Sequence, residues 1–127
     1  VAVAGHDGTL NFSLPDPGMG GCASAHLEAN AGTVTVPCKR ISILMSELGH
    51  DHIDLLKMDI EGTEYEVIAE ILSNKIPINQ ILVEFHHRFP GIGMEKTLCA
   101  VAALRSAGYQ LFHVSPWCEE YAFIKRN

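Results

Sequence analysis

Residues 53–66 read IDLLKMDIEGTEYE, and this stretch decides the fold. The apolar residues between Ile53 and Ile60 are enough for one strand. They fall on both faces of its pleat, as expected of a parallel strand covered by helices on both sides. Thr63, with Glu66 three positions later, is typical of a capping box, so a helix is predicted to begin there. The stretch therefore predicts a strand, a turn and a helix, with carboxylates where open α/β sheets bind their ligands.

Strand and helix patterns alternate along the rest of the chain. Strands are predicted at 33–37, 80–87, 109–115 and 120–125, and helices at 41–48, 63–73 and 94–107. The connection between the last two strands is short enough for an antiparallel hairpin. Alternation of this kind implies right-handed crossovers. We therefore predict an α/β fold with a mostly parallel sheet, to which the terminal hairpin adds one antiparallel strand at an edge.

The first 32 residues have a different character. Two short runs, 1–5 and 9–14, are separated by His6-Asp7-Gly8, which predicts an N-terminal hairpin over 1–14. Residues 15–32 are rich in Gly, Ala, Ser, Asn and Pro, which predicts a mobile loop. We therefore expect a single domain over 1–127, with an α/β core over 33–127.

Composition limits the classes of partner. The chain has 127 residues, 15 acidic and 9 basic, and a formal net charge of -6, which argues against a nucleic-acid-binding surface. No apolar stretch approaches the length of a membrane span, and the amino end lacks the pattern of a signal peptide. The four cysteines are widely spaced, as expected of reduced thiols. We expect a cytoplasmic protein that binds neither nucleic acid nor membrane.

Acidic and imidazole side chains follow two neighbouring strands of the predicted sheet. Parallel strands lie about 4.8 Å apart, so the ends of 53–60 and 80–85 meet at one rim. The residues expected there are Asp59, Glu61, Glu84, His86 and His87. Such a set could act as general acid and base or ligate a divalent metal. Lys57 is an alternative, purely structural partner for these carboxylates, and Glu64 and Glu66 are predicted to serve the helix start.

The segment VPCKRISILMSELGHDHIDLLKMDIEGTEYEVI resembles the FkbM-type methyltransferases, whose hallmark strand reads approximately I-D-L-L-K-x-D-x-E-G-x-E. The positions that match are Lys57, Asp59, Glu61, Gly62 and Glu64. The segments AVAGHDGTLNF, ILVEFHHRF, GYQLFHVSPW and EEYAFIKR are similar to those that the family carries before and after the hallmark.

The resemblance implies a class I enzyme that transfers a methyl group from S-adenosylmethionine to an oxygen of a small molecule. It implies a Rossmann-like three-layer sandwich. In the family, a first strand with a Gly-containing turn and a second strand with an acidic end precede the segment that Val1 begins. The chain is therefore expected to be the carboxyl-terminal part, truncated at the N-terminus, with residues that hold the cofactor unassigned. Strand 53–60 would then be an unpaired edge, which predicts a homodimer.

The leading interpretation gives Asp59 and Glu61 the task of orienting or deprotonating the acceptor, with Glu84 and His86 assisting and no metal. A second interpretation is a non-catalytic fragment or assembly module of the same fold. A third is a metal-dependent hydrolase that uses Asp59, Glu84 and His86.

Overall fold

The computed structural model describes residues 1–18, 21–26 and 32–126. Its elements, in chain order, are β1 (Ala2–Val3), β2 (Gly8–Ser13), β3 (Thr33–Lys39), α1 (Ile41–Leu48), β4 (Ile53–Met58), α2 (Glu64–Ser73), β5 (Ile78–Glu84), α3 (Met94–Ser106), β6 (Tyr109–Val114) and β7 (Glu120–Lys125). They form two mixed sheets, with strand orders β1-β3-β2 and β4-β5-β7-β6. The predicted α/β class is confirmed, and the predicted helices are all present.

The first sheet corrects the predicted N-terminal hairpin. β1 and β2 do not pair with each other, because β3 lies between them, parallel to β1 and antiparallel to β2. Both pairings meet at Cys38, which is opposite Ala2 in β1 and Gly8 in β2. β3 therefore belongs to this small sheet and not to the sheet that contains the hallmark strand.

A charged contact lies where the chain leaves β1 and turns towards β2. The Asp7 carboxylate accepts hydrogen bonds from the Arg40 backbone N–H, at 3.0 Å, and from Arg40 Nε, at 2.7 Å. This contact fixes the turn after β1 against the end of β3, so that β2 runs back along β3. The period-two pattern of 9–14 identified a strand correctly but could not identify its partner.

The second sheet is less parallel than predicted. β4 and β5 are parallel, with Leu56 opposite Ile81 and Met58 opposite Val83. β7 pairs antiparallel with both β5 and β6, so the terminal hairpin contributes two strands and its antiparallel strand lies inside the sheet. The predicted edge position was wrong because the first hairpin strand, not the second, lies outermost.

One face of this sheet packs against the helices and forms a single hydrophobic core with them. Core residues of the strands alternate with residues that face outward, and α1, α2 and α3 contribute Ile41, Val67 and Leu104, respectively. On the other face, Leu55 and Ile124 are 53% and 39% exposed, and both lie level with Gln80 of β5. The described residues therefore do not form a clear three-layer sandwich. No helix among them has the length and apolar character needed to span a membrane.

The predicted loop over 15–32 is only partly visible. Residues 19–20 and 27–31 lie outside the described residues, so the prediction of mobility is not tested there. Within the described part, Ser24 is fully buried and forms an isolated antiparallel bridge with Ser13. This part of the loop is packed against the domain.

β4 forms one edge of its sheet, as the unpaired-edge prediction required. We propose that this edge pairs with a second copy of the chain, because exposed edge strands offer unpaired N–H and C=O groups to another strand. Light scattering at micromolar concentration should then give the mass of a dimer. Leu55→Lys adds a charge on this edge and should shift the mass towards the monomer. Leu98→Lys changes a leucine of α3 that is 60% exposed and should leave the dimer intact. A monomer mass for the unmodified chain would contradict the proposal.

Candidate functional site

The turn between β4 and α2 places the acidic residues of the hallmark. β4 ends at Met58, two residues earlier than predicted, and the chain turns through Glu61 and Gly62. Both have positive φ angles, 55° for Glu61 and 108° for Gly62. A Cβ atom at Gly62 would lie 2.6 Å from Cδ2 of His26, so the turn admits only glycine there. The glycine of the Glu-Gly dipeptide is thus a requirement of the backbone.

The predicted capping box does not form. Thr63 makes no side-chain capping bond, and its hydroxyl donates to the Ile60 carbonyl at 3.0 Å. Glu64 satisfies the turn instead, since its carboxylate accepts the Ile60 N–H at 3.0 Å and the Gly62 N–H at 3.1 Å. The side chain of Glu64 is fully buried. Placing Glu64 at the helix start was correct, but its burial was not predicted.

Glu64 also holds the histidine at the end of β5. Its Oε1 lies 2.7 Å from Nδ1 of His86, and the His86 side chain is only 1% exposed. A proton on Nδ1 lets the imidazole donate to the carboxylate and leaves Nε2 as an acceptor. Phe89 packs beside the imidazole ring, with 4.9 Å between ring centroids. The ring is therefore fixed with Nε2 facing the rim.

Three carboxylates converge on this nitrogen. Nε2 of His86 lies 3.5 Å from Oε2 of Glu61, 3.7 Å from Oδ1 of Asp59 and 3.9 Å from Oε1 of Glu84. The structure thus brings together all four residues to which the sequence assigned chemistry. The reason is the parallel pairing of β4 and β5, whose carboxyl ends share one rim. Their catalytic roles remain a prediction.

Two other residues of the predicted rim do not join this carboxylate cluster, which comprises Asp59, Glu61 and Glu84 around His86. His87 points elsewhere, with Nδ1 3.2 Å from the Thr97 hydroxyl. In the described part of the chain, Lys57 forms no ion pair with a carboxylate of the cluster. The nearby cation is Arg88, which lies 3.8 Å from Glu84 and pairs more closely with Glu119, at 2.9 Å. The structural explanation through Lys57 is therefore wrong.

Negative charge dominates the cluster. Burial raises the pKa of the Glu84 carboxyl above its usual value, and the charge of Asp59 raises it further. The pKa of the Cys22 thiol is also raised, first by its hydrogen bond to Glu61 and then by the charge of Glu61. Cys22 is therefore not an activated nucleophile.

The segment 21–26 lies against the turn that carries Glu61. Ser24 donates its hydroxyl to the Glu61 carbonyl at 2.8 Å and accepts the His26 backbone N–H at 3.0 Å. Together with Cys22, these contacts place the segment at the cluster. The composition of the loop did not indicate this contact. Glu64, by contrast, could have been singled out from the sequence, because it is the final position of the hallmark.

A cavity of about 390 Å³ adjoins the cluster through Glu84. Strands β4, β5, β6 and β7 all contribute to its walls, as does the connection between the last two. Polar groups that line it include Lys57, Glu84, His113, Ser115 and Glu120. Its volume lies at the lower end of the range for small-molecule sites, about 300–1,000 Å³.

Comparison with known proteins agrees with this geometry. The family model for the methyltransferase FkbM domain matches residues 1–111, which include both strands of the rim and the whole cluster. The chain belongs to the FkbM methyltransferase family. This result gives no support to the metal-dependent hydrolase considered above.

The FkbM domain is also similar to curated proteins of two mammals. It is 26% identical over 85 residues to the probable methyltransferase-like protein 24 of Rattus norvegicus, and equally to that of Homo sapiens. Each match covers 59% of this chain but only 23% of the relative. No solved structure matches.

The Glu64 contacts predict a large loss of stability when this carboxylate is removed. Glu64→Ala would leave two backbone N–H groups and one imidazole N–H without their acceptor, at about 1–3 kcal/mol for each unsatisfied buried donor. We expect the free energy of unfolding to fall by about 3 kcal/mol, measured by urea denaturation. Glu66→Ala alters an exposed glutamate of the same helix and should change it by less than about 0.5 kcal/mol. Equal losses in the two variants would contradict this role.

The raised pKa of Glu84 predicts that its charge destabilises the fold. Above the folded-state pKa the carboxyl is ionised in both states, and the folded state disfavours that charge. Below the unfolded-state pKa it is protonated in both states, and the penalty disappears. Glu84→Gln should therefore raise Tm at pH 7 in the presence of EDTA, and the gain should shrink as the pH is lowered through that window. A gain that persists unchanged at about pH 3.5 would show that the cause is not the charge.

Proposed function

We propose that this FkbM domain transfers a methyl group from S-adenosylmethionine to an oxygen of a small molecule. The observation that carries the proposal is the convergence of Asp59, Glu61 and Glu84 on Nε2 of a buried histidine. The side chains lie at the carboxyl ends of two parallel strands, where α/β enzymes bind their substrates. Family membership supplies the class of reaction.

The charge of the cluster fits the proposed cofactor. When bound, S-adenosylmethionine supplies an electrophilic methyl group on a positively charged sulfonium. Three carboxylates around one rim favour a cation, and the nearby Arg88 is paired mainly with Glu119. No residue of this chain is assigned to hold the cofactor itself.

The acceptor is proposed to enter at the cavity beside Glu84. Asp59 and Glu61, whose side chains are 42% and 19% exposed, orient its hydroxyl group and take up its proton. Glu84 forms part of the cavity wall, and His86 assists, with Nε2 facing the carboxylates. The acceptor oxygen loses a proton as it gains the methyl group, so a nearby base is needed.

We also propose how this sheet is covered and where in the cell the protein is located. The second sheet and its helices represent one side of a Rossmann-like sandwich, and the exposed face around Leu55 is where a further layer would pack. A cytoplasmic location agrees with the free state of all four cysteines. The second candidate is the non-catalytic module, since the residues that would hold the cofactor are unassigned.

Calorimetric titration with S-adenosylmethionine and S-adenosylhomocysteine separates the two candidates. We expect this chain to bind both, with Kd values in the micromolar range, and to bind S-adenosylmethionine more tightly, because only its sulfonium carries the positive charge that the negative rim favours. Lack of binding to either would contradict the enzyme proposal and favour the non-catalytic module.

The role of Asp59 is tested by Asp59→Asn, which keeps the shape of the side chain but removes its charge. With methyl-labelled cofactor and a panel of sugars and other hydroxylated metabolites, the variant should lose methyl transfer by at least about 100-fold. Its circular dichroism and Tm should stay close to those of the unmodified chain, since Asp59 is partly exposed. Asp54→Asn, in the same hallmark strand but far from its end, should keep full activity. Unchanged turnover in Asp59→Asn would refute the assignment.

A further inference from the structure

The cluster has a gap at its centre. Three side chains of types that bind metals each direct one ligand atom to this gap. These atoms, from Asp59, Glu84 and His86, lie within 4.8 Å of one another. The distances from His86 Nε2 to the two carboxylates, 3.7 and 3.9 Å, are too long for hydrogen bonds. We propose that this gap is a binding site for a divalent metal ion.

The buried histidine is an independent indication of a ligand. Nε2 makes no hydrogen bond within the described residues, although its side chain is 99% buried and faces the carboxylates. With its proton on Nδ1, the imidazole presents the lone pair of Nε2 to carboxylates that also accept, so a cation between them would satisfy both. The Glu64 carboxylate on Nδ1 reproduces the carboxylate–histidine arrangement that orients imidazole ligands in metal sites.

The distances suit a first-row divalent ion. Metal–ligand bonds of about 2.1 Å place neighbouring ligand atoms roughly 3.0–3.5 Å apart in octahedral or tetrahedral shells. The two separations from Nε2, 3.7 and 3.9 Å, are a few tenths of an ångström longer, and all three ligand atoms lie within 4.8 Å of one another. Asp59 and Glu84 are 42% and 28% exposed, so their side chains can rotate to close that difference. Two carboxylates and one imidazole suit a first-row divalent ion, and Mn²⁺ is one that also accepts carboxylate and water ligands.

The open side of the site suggests what the ion does. Since Asp59 is partly exposed, coordination positions remain for water or for a hydroxyl of the acceptor. This role rests on the proposed methyl transfer, whereas the binding of the ion does not. A bound ion lowers the pKa of a coordinated hydroxyl. Glu61, which is not in the ligand set, then takes the hydroxyl proton, and the acceptor oxygen forms its bond to carbon as the bond between sulfur and that carbon breaks.

Mn²⁺ titration followed by electron paramagnetic resonance tests the site directly, because the signal of the free ion falls on binding. We expect one saturable site per chain, with a Kd at or below about 100 μM. Asp59→Asn and Glu84→Gln should each weaken binding at least tenfold. Neither depends on replacing the buried His86, so a folding defect does not obscure the result.

Asp54→Asn is the matched control. Asp54 belongs to a second group of carboxylates and imidazole on the surface, in which His52 lies 2.6 Å from Asp51 and 3.7 Å from Asp54. If this surface group bound the ion, Asp54→Asn would weaken binding and Asp59→Asn would not. That pattern, or the absence of saturable binding, would overturn the proposal.

Two further measurements separate the ion site from the methyl transfer. Glu61→Gln should keep Mn²⁺ binding within about twofold but lose methyl transfer, because it removes the base and leaves the ligands. Calorimetry with S-adenosylmethionine in EDTA reports cofactor binding without the ion. Cofactor binding without an Mn²⁺ site would refute the ion proposal alone. An Mn²⁺ site without cofactor binding would support the ion proposal and contradict the enzyme proposal.

Discussion

The buried contact between Glu64 and His86 is the interaction on which the site depends. One carboxylate closes the turn after β4, begins α2 and fixes the imidazole that follows β5. The turn after β4 and the segment after β5 are thereby locked together. A buried carboxylate is tolerated because three donors surround it. The geometry of the rim is thus set by one side chain that the solvent does not reach.

The local patterns of the sequence predicted most elements, while pairing between distant segments was less accessible. The i, i+3, i+4 spacing in 41–48 identified α1 at its observed bounds, and the parallel pairing of β4 and β5 agrees with the two buried runs. The insertion of β7 between β5 and β6, and of β3 between β1 and β2, depends on contacts between distant residues. The contact of Asp7 with Arg40 is one of these. Local periodicity contains no information about such partners.

The candidate site shows the same contrast between local patterns, which the sequence reveals, and contacts between distant residues, which it does not. Asp59, Glu61, Glu84 and His86 could be grouped from the sequence because their strands end at one rim. The burial of Glu64 could not be predicted from the sequence, since an acidic residue in the first turn of a helix is normally explained by the helix dipole. Ser24 was missed for another reason. Its segment is polar and small, and only the folded chain shows that it is packed on the Glu61 carbonyl.

The packing of residues 21–26 on the Glu-Gly turn separates a buried scaffold from an exposed border within the domain. The turn, Glu64 and His86 form a scaffold whose residues are constrained by the backbone and by burial. The adjoining loop touches that scaffold through a few polar contacts, and it borders the carboxylates from outside. Changes at its exposed positions, such as Gly21 and Cys22, can therefore alter which molecules reach the rim, while the buried Ser24 keeps the loop on the turn.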